Sequence, residues 1–526
     1  MEATLAPAIK YPIGIARAIL VATAISCALL EIIDATVVNV SLREISGSIG
    51  ATTAEIAWVV TAYSIANVIM IPLSGMLSVY VGRKNYFTFS VALFTFASLM
   101  CGSSSSLWTL VAWRFIQGLA GGGLLSTSQS IIVDAYPPEK IGIATAIFGL
   151  GVMLGPTFGP VMGGYITDHM SWHWIFFINV PIGILASTLS WFYIPNLLGV
   201  IKPRKVDWLG VFLLIMAVAP LQYFLEEGAS EDWFESHEIT LTFLISMFSL
   251  IAFIWREWSI DYPAVNIKLY RNYNLAIGSV LNLILGVIMY GAMFIFPLFV
   301  QISLGWTATQ TGTFMIPSAL ASAFGMILVG RVFAGQNPKI LCIAGVGLTF
   351  AFLLMLSNSS PDSTEANFFF PFLLRGLGTA LMMMPVMTIA MVGLRGKDLA
   401  QAAGLSSMMR QLGGAVGIAL MNIFLAHQNS AVRSGMLSKV SEFDSLTTDR
   451  TNALTQAFIQ AGYAFDEAAS MAYKMMETLL MRQQLMVSYT QGFFSIGIIV
   501  LFAIPIILLV RYKKPAVQIK EEIAVH

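Results

Sequence analysis

The sequence predicts an all-α integral membrane protein, and two observations carry that reading: its composition and the spacing of its apolar runs. Of 526 residues, 57% are hydrophobic and only 11% charged, with a mean hydropathy of +0.79, whereas soluble globular chains carry about 25% charge. Most of this surface has to be solvated by lipid. Apolar stretches of about 20 residues, enough to cross a hydrocarbon core of about 30 Å as helix, fall near 17–41, 54–80, 86–104, 108–133, 141–165, 174–195, 207–225, 239–258, 274–300, 310–333, 339–357, 367–393, 403–427 and 488–511, which makes fourteen spans.

The location of charge orients these spans. Lys+Arg and Asp+Glu number 28 each, so the net charge is zero and no global field exists to attract nucleic acid or an acidic partner. Basic residues collect instead in alternate short connections: Arg83 and Lys84, Lys140, Arg204 and Lys205, Arg256, Lys268 and Arg271, Arg331 and Lys339, Arg395 and Lys397, Lys513 and Lys514. With both termini in the cytoplasm that alternation obeys the positive-inside rule, and the expected location is the inner (cytoplasmic) membrane. Residues 1–17 and the run after them do not read as a cleaved signal, because the run contains Glu31 and Asp34 and lacks a small-residue cleavage site. The one long extramembrane stretch, 428–487, then faces outward. Its second half, 451–485, has apolar residues at helical spacing and predicts one or two amphipathic helices. A lid on the protein itself and a docking surface for a periplasmic partner both remain open for it.

Several chemistries find no support. Cys27, Cys101 and Cys342 all lie in apolar stretches as small buried hydrophobes. No phosphate-cradling GxxxxGK[ST] loop points to ATP. The five histidines form neither a nucleophile triad nor a metal-ligand spacing. No cofactor, metal or covalent catalysis is expected.

Internal repetition suggests two halves. The fourth span reads Trp113-Arg114-Phe115-Ile116-Gln117-Gly118 and the twelfth Leu374-Arg375-Gly376-Leu377-Gly378, with arginine at a matching depth. Treating the seventh and eighth spans as an insertion makes these the fourth helices of two six-helix bundles, and glycine-rich spans 5 and 13 (Gly413, Gly414, Gly417) become counterparts. This is the parallel-repeat plan of many secondary transporters. The expected organisation is a cytoplasmic N-terminus (1–16), a first bundle (17–195), two inserted spans (196–273), a second bundle (274–511) and a tail (512–526).

Several segments together resemble the major facilitator superfamily, specifically its fourteen-span drug:proton antiporters of the EmrB/QacA kind. They are Leu30-Glu31-Ile32-Ile33-Asp34-Ala35-Thr36-Val37-Val38-Asn39-Val40 in span 1, Gly75 and Gly82-Arg83-Lys84 around the following loop, Arg114 with Gln117 and Gly118, and Gly155-Pro156-Thr157-Phe158-Gly159-Pro160 through Gly163-Gly164. Trp172 to Pro181 and Gly404-Leu405-Ser406-Ser407 with Arg410 are similar to the same family. The sequence departs at Arg43, where the family has proline, and at Val79, where aspartate is usual. The resemblance implies a major facilitator fold and proton-coupled efflux of small amphipathic molecules by alternating access, powered by the proton motive force. It also leaves room for a periplasmic adaptor with an outer-membrane channel.

The residues themselves name the candidates. An ionisable group within a span costs about 2.5–3.5 kcal/mol and needs a partner or a wet cavity. Glu31 and Asp34, three apart, fall on one side of a helix and are the candidate proton carriers, with a structural ion pair to Arg114 as the alternative. Arg114 is always protonated, so it holds a carboxylate rather than moving protons. Gly151, Gly155, Gly159 and Gly163 recur every fourth residue as a bare stripe that admits close approach of backbones, and Pro156 and Pro160 interrupt its amide ladder. Gly75, Gly82, Arg83 and Lys84 form a candidate cytoplasmic gate or a topology-setting cationic turn. Asn39, Gln117, Tyr290, Met293, Phe294, Met383, Arg375 and Arg410 make a candidate substrate pocket, in which flexible thioethers and aromatics adapt to varied ligands; core filling is the competing role for each. A nutrient importer, and a receptor or scaffold using the outer loop, are the rival functions.

Overall fold

The computed structural model describes residues 12–137, 141–195, 207–228, 231, 233–261, 263, 265–331, 336–394, 397–438 and 445–511. The N-terminal segment before Pro12, the tail after Arg511, and the side chains of Asn39, Val79, Pro156 and Pro160 lie outside the described residues. The elements are α1 (Ile15–Ile49), α2 (Thr53–Tyr80), α3 (Arg83–Gly102), α4 (Leu107–Gly121), α5 (Leu124–Asp134), α6 (Ile141–His169), α7 (Trp174–Phe177), α8 (Asn179–Tyr193), α9 (Trp208–Glu227), α10 (His237–Ser259), α11 (Tyr273–Leu298), α12 (Ala308–Arg331), α13 (Pro338–Ser357), α14 (Glu365–Met391), α15 (Lys397–Leu437), α16 (Ser445–Gln460), α17 (Phe465–Leu501) and α18 (Ala503–Leu509). Among the described residues, eleven helical stretches are long and apolar enough to cross a membrane, and α2 adds a shorter apolar run, Trp58–Ile71.

Local chemistry starts and stops these helices. Thr52 and Glu55 form a reciprocal capping box at α2, Asn272 caps α11 by accepting from the amides of Asn274 and Leu275, and Asn337 caps α13 ahead of Pro338, each satisfying amides that have no partner within the helix. Gly82 adopts φ 94° in the turn from α2 to α3, a left-handed conformation that a Cβ would strain. Outside the bundle stand Phe89, Trp108, Leu185, Phe192, Phe212, Phe248 and Trp255, all exposed. In an aqueous protein such a surface would aggregate; against acyl chains it is the solvated face.

The packing repeats. In the first half α1 lies on α6, α2 and α3 on α4, and α3 on α8; in the second α11 lies on α15, α12 and α13 on α14, and α13 on α17. The helices α9 and α10 pack on each other, and α9 touches both α2 and α15. The halves meet along two seams. On one, α6 faces α12: Gly149 lies against Met326, Gly312 against the backbone of Val161, and Thr309 Oγ1 donates to Asp168 at 3.2 Å. On the other, Val68, Ile69 and Leu73 of α2 share an apolar cluster with Ala402 and Leu405 of α15, Ala390 of α14, Leu275 of α11 and Val211, Leu214 and Val218 of α9. That cluster sits toward the Arg83 end.

Two expected boundaries change. The run 108–133 is not one helix: it breaks at Gly122 and Gly123 into α4 and α5. The stretch 428–487 carries helices in its second half as expected, α16 and the start of α17, but the flanking helices also reach into it: α15 continues to Leu437, and α17 runs unbroken from Phe465 into the last span, with α16 packed on α17. Arg433 pairs with Glu477 at 2.5 Å, and Gln428 donates to Gln491, so the two extensions run side by side. Hydropathy ends a span where polar residues begin, whereas a helix runs on until glycine, proline or a lost amide partner stops it.

Candidate functional site

The densest polar cluster lies inside the first half. Arg114 is 1% exposed and Asp34 fully buried. The Arg114 guanidinium donates to Asp34 Oδ2 at 2.5 Å, to Gln117 Oε1 at 2.8 Å and to the Val59 carbonyl at 3.2 Å. The other oxygen of Asp34 accepts from Gln117 Nε2 and Asn179 Nδ2, both at 2.9 Å, and Asn179 also donates to Ser98 Oγ at 3.1 Å. The Tyr63 ring covers the guanidinium, 4.1 Å from centroid to Cζ. α4 gets this close to α2 because Gly118 and Gly122 lack a Cβ; one there would strike the carbonyls of Tyr63 and Asn67. A buried charge pair holds only when its remaining hydrogen bonds are also made; here both oxygens of Asp34 and the Nε and Nη1 of Arg114 have partners.

Glu31 has different company. One oxygen accepts from Asn67 Nδ2 at 3.1 Å and the other from the Leu125 amide at 2.8 Å. That amide is free because the helix breaks at Gly122–Gly123: Leu125 stands in the first turn of α5, where backbone donors have no intrahelical acceptor and the dipole favours an anion. Among the described residues no cation forms an ion pair with Glu31. Across the junction, α5 packs on α15, the helix of the second half that carries Arg410. Arg410 donates to Ser407 Oγ at 3.2 Å, and Gln129 of α5 reaches Met387 of α14 nearby. Glu31 thus sits where the halves face one another, and Asp34 sits inside one of them.

The glycine stripe of α6 faces α1. A Cβ on Gly151 would strike Ile25, on Gly155 Ile32 and on Gly159 Thr36 Oγ1, so the stripe brings α6 against the helix that carries both acids. The second half repeats the device, with Gly413 against the Leu283 carbonyl and Gly417 against that of Val287, between α15 and α11. Gly163 is buried, and its carbonyl accepts from Thr167 Oγ1 at 2.6 Å. Filling the stripe with Gly159→Val is expected to destabilise the protein by about 1–3 kcal/mol, as overpacking does, seen as a lower melting temperature in detergent.

At the turn after α2, Arg83 pairs with Asp134 at the end of α5, so this loop reaches a carboxylate even with valine at position 79. The Lys84 ammonium lies 4.9 Å from the Trp191 ring centroid, and Gly75 is exposed beside a cavity lined by Ser74, Arg83, Ser130, Gln401 and Gly404.

The candidate pocket residues divide. Tyr290, Met293 and Arg375 line one cavity inside the second half. Gln117 is fully buried and committed to Asp34 and Arg114, which removes it from a pocket wall. Met383 is 6% exposed within the apolar core of the second half, and Phe294 packs against that core; both fill space, as flexible or aromatic apolar side chains usually do. Sequence reasoning missed Asn67, Asn179, Ser98 and the Leu125 amide. The triple glycine 121–123 was the available signal for the last of these, since it marks where a helix can break and present amides.

A family model described as the Major Facilitator Superfamily matches residues 24–418. The chain is 33% identical over 430 residues to the multidrug export protein EmrB of Haemophilus influenzae, covering 81% of this chain and 84% of that one. It is 30% identical over 434 residues to the fatty acid resistance protein FarB of Neisseria gonorrhoeae, covering 82% and 85% respectively. Among solved structures, the human organic anion transporter TETRAN superposes with a TM-score of 0.59 at 12% identity, covering 93% of this chain and 99% of that chain. A bacterial homologue of the human lysosomal transporter Spinster gives 0.58 at 16% identity, covering 96% and 100%.

Proposed function

Since the chain belongs to the major facilitator superfamily, among its EmrB-like members, we propose that it exports small amphipathic molecules across the inner membrane, exchanging each for protons that enter through Glu31. Both termini are assigned to the cytoplasm and the fold is read as fourteen spans, six in each half and α9–α10 between. The EmrB and FarB relatives support the export of multiple drugs or amphipathic acids. The apolar seam of α2 and α15 then closes the cytoplasmic side. The paired extensions of α15 and α17 stand on the outer side, where the exposed Tyr473, Met475, Leu479 and Met481 give a periplasmic adaptor a surface.

One observation carries the proton assignment: Glu31 lies near the junction of the halves with two neutral donors and, among the described residues, no ion-pair partner, while Asp34 is tied to Arg114. Protonating Asp34 would strand a guanidinium inside the first half. Protonating Glu31 strands nothing and releases its attraction to Arg410 across the junction, so occupancy by a proton and the relative position of the halves become linked. Each proton entering down 100 mV contributes about 2.3 kcal/mol and each pH unit about 1.4 kcal/mol, enough for a tenfold to thousandfold gradient with one or two protons.

Everted membrane vesicles test the reading. With an acidified lumen they are expected to accumulate ethidium or decanoate, and adding substrate is expected to alkalinise the lumen. Accumulation that survives collapse of both the pH gradient and the membrane potential, by nigericin with valinomycin in potassium, would refute proton exchange, and movement in the opposite sense would make the protein an importer.

A further inference from the structure

The two halves repeat their packing but not their charges. In the first, Arg114 of α4 is neutralised by Asp34 of α1. The corresponding position in the second half is Arg375 of α14, and the corresponding helix is α11. Yet α11 to α14 hold no acid in their apolar portions: 274–300, 310–331, 339–357 and 367–393 contain neither aspartate nor glutamate. Arg375 is half-buried, and no salt bridge reaches it among the described residues. Its guanidinium lies 5.5 Å from the Phe372 ring centroid and 6.0 Å from that of Phe352, contacts that orient a cation without neutralising it. It borders a partly open cavity whose wall combines hydroxyls (Ser318, Thr379) with flexible apolar groups (Met289, Met293, Met315). Tyr290, at its rim, is 37% exposed.

We propose that this cavity is an anion subsite, in which Arg375 receives the acid group of an amphipathic carboxylic or sulfonic acid and the methionines receive its apolar body. The substrate supplies the charge that Asp34 supplies in the other half. An arginine kept within a span without a counter-ion is costly, and its planar fork of donors fits a carboxylate or sulfonate in two-point contact. The apolar wall then selects for a hydrocarbon or aromatic tail, so a small inorganic anion would gain little. The proposal rests on the export reading for its purpose, but not for its test.

Binding is measured on the purified full-length protein in detergent, with no transport required. Radiolabelled decanoate is the probe, with decanol and ethidium as uncharged and cationic controls. Arg375→Gln is expected to weaken decanoate binding at least tenfold, the weight of a charge-assisted hydrogen bond, and to leave decanol and ethidium unchanged; Arg375→Lys should recover part of the loss. On the unaltered protein, octanesulfonate is expected to displace decanoate and octyl glucoside to leave it bound, a result that depends on no variant folding. Equal binding of decanoate by wild type and Arg375→Gln, equal loss of all three ligands, or equal displacement by octanesulfonate and octyl glucoside would overturn the subsite. Arg375-dependent decanoate binding in a protein whose vesicles show no proton-driven accumulation would keep the subsite and remove the export reading.

Discussion

Glu31→Gln is expected to reduce the substrate gradient sustained by everted vesicles to about unity, a loss of at least tenfold, while exchange of labelled for unlabelled substrate continues and no longer depends on pH. Glutamine keeps an acceptor for the Leu125 amide and a partner for Asn67, so the junction retains its shape and the melting temperature moves little. What disappears is the ability to alternate between a charged and a neutral group facing Arg410. Parallel measurements of accumulation and of counterflow separate the two effects. A Glu31→Gln protein that still concentrates substrate under a pH gradient would transfer the proton to another residue.

Asp34→Asn is expected to act first on stability. It leaves Arg114 buried with only neutral acceptors, and breaking one side of a buried pair costs about 3–5 kcal/mol. Thermal unfolding in detergent should report this as a large fall in melting temperature, and the double variant Asp34→Asn/Arg114→Gln should recover much of it, because two amides of similar shape satisfy each other without a charge. A single variant as stable as wild type but unable to concentrate substrate would return the proton role to Asp34.

These outcomes also mark how far the sequence could be read. Apolar runs placed the helices, because a span must be long and apolar whatever it packs on. The acids of α1 and the arginine of α4 were visible as charges out of place. Their division of labour was not: three residues advance a helix by about 300°, leaving the two side chains about 60° apart. That angle is enough to aim Asp34 into the first half and Glu31 toward α5. Asn67, Asn179 and Ser98 are ordinary polar residues whose spacing says nothing until α2, α3 and α8 converge. The break after Gly121 is hidden because glycine is tolerated inside a span as readily as at its end, and the lengths of α15 and α17 because hydropathy ends a span where polar residues begin while the helix runs on.

The placement of α9 and α10 bears on how the two halves could part. α9 rests on α2 and on α15 at once, and those two helices belong to opposite halves. A motion that parted them would have to break the contacts of α9 with one of the two, so the α9–α10 hairpin would add to the work of opening on that side.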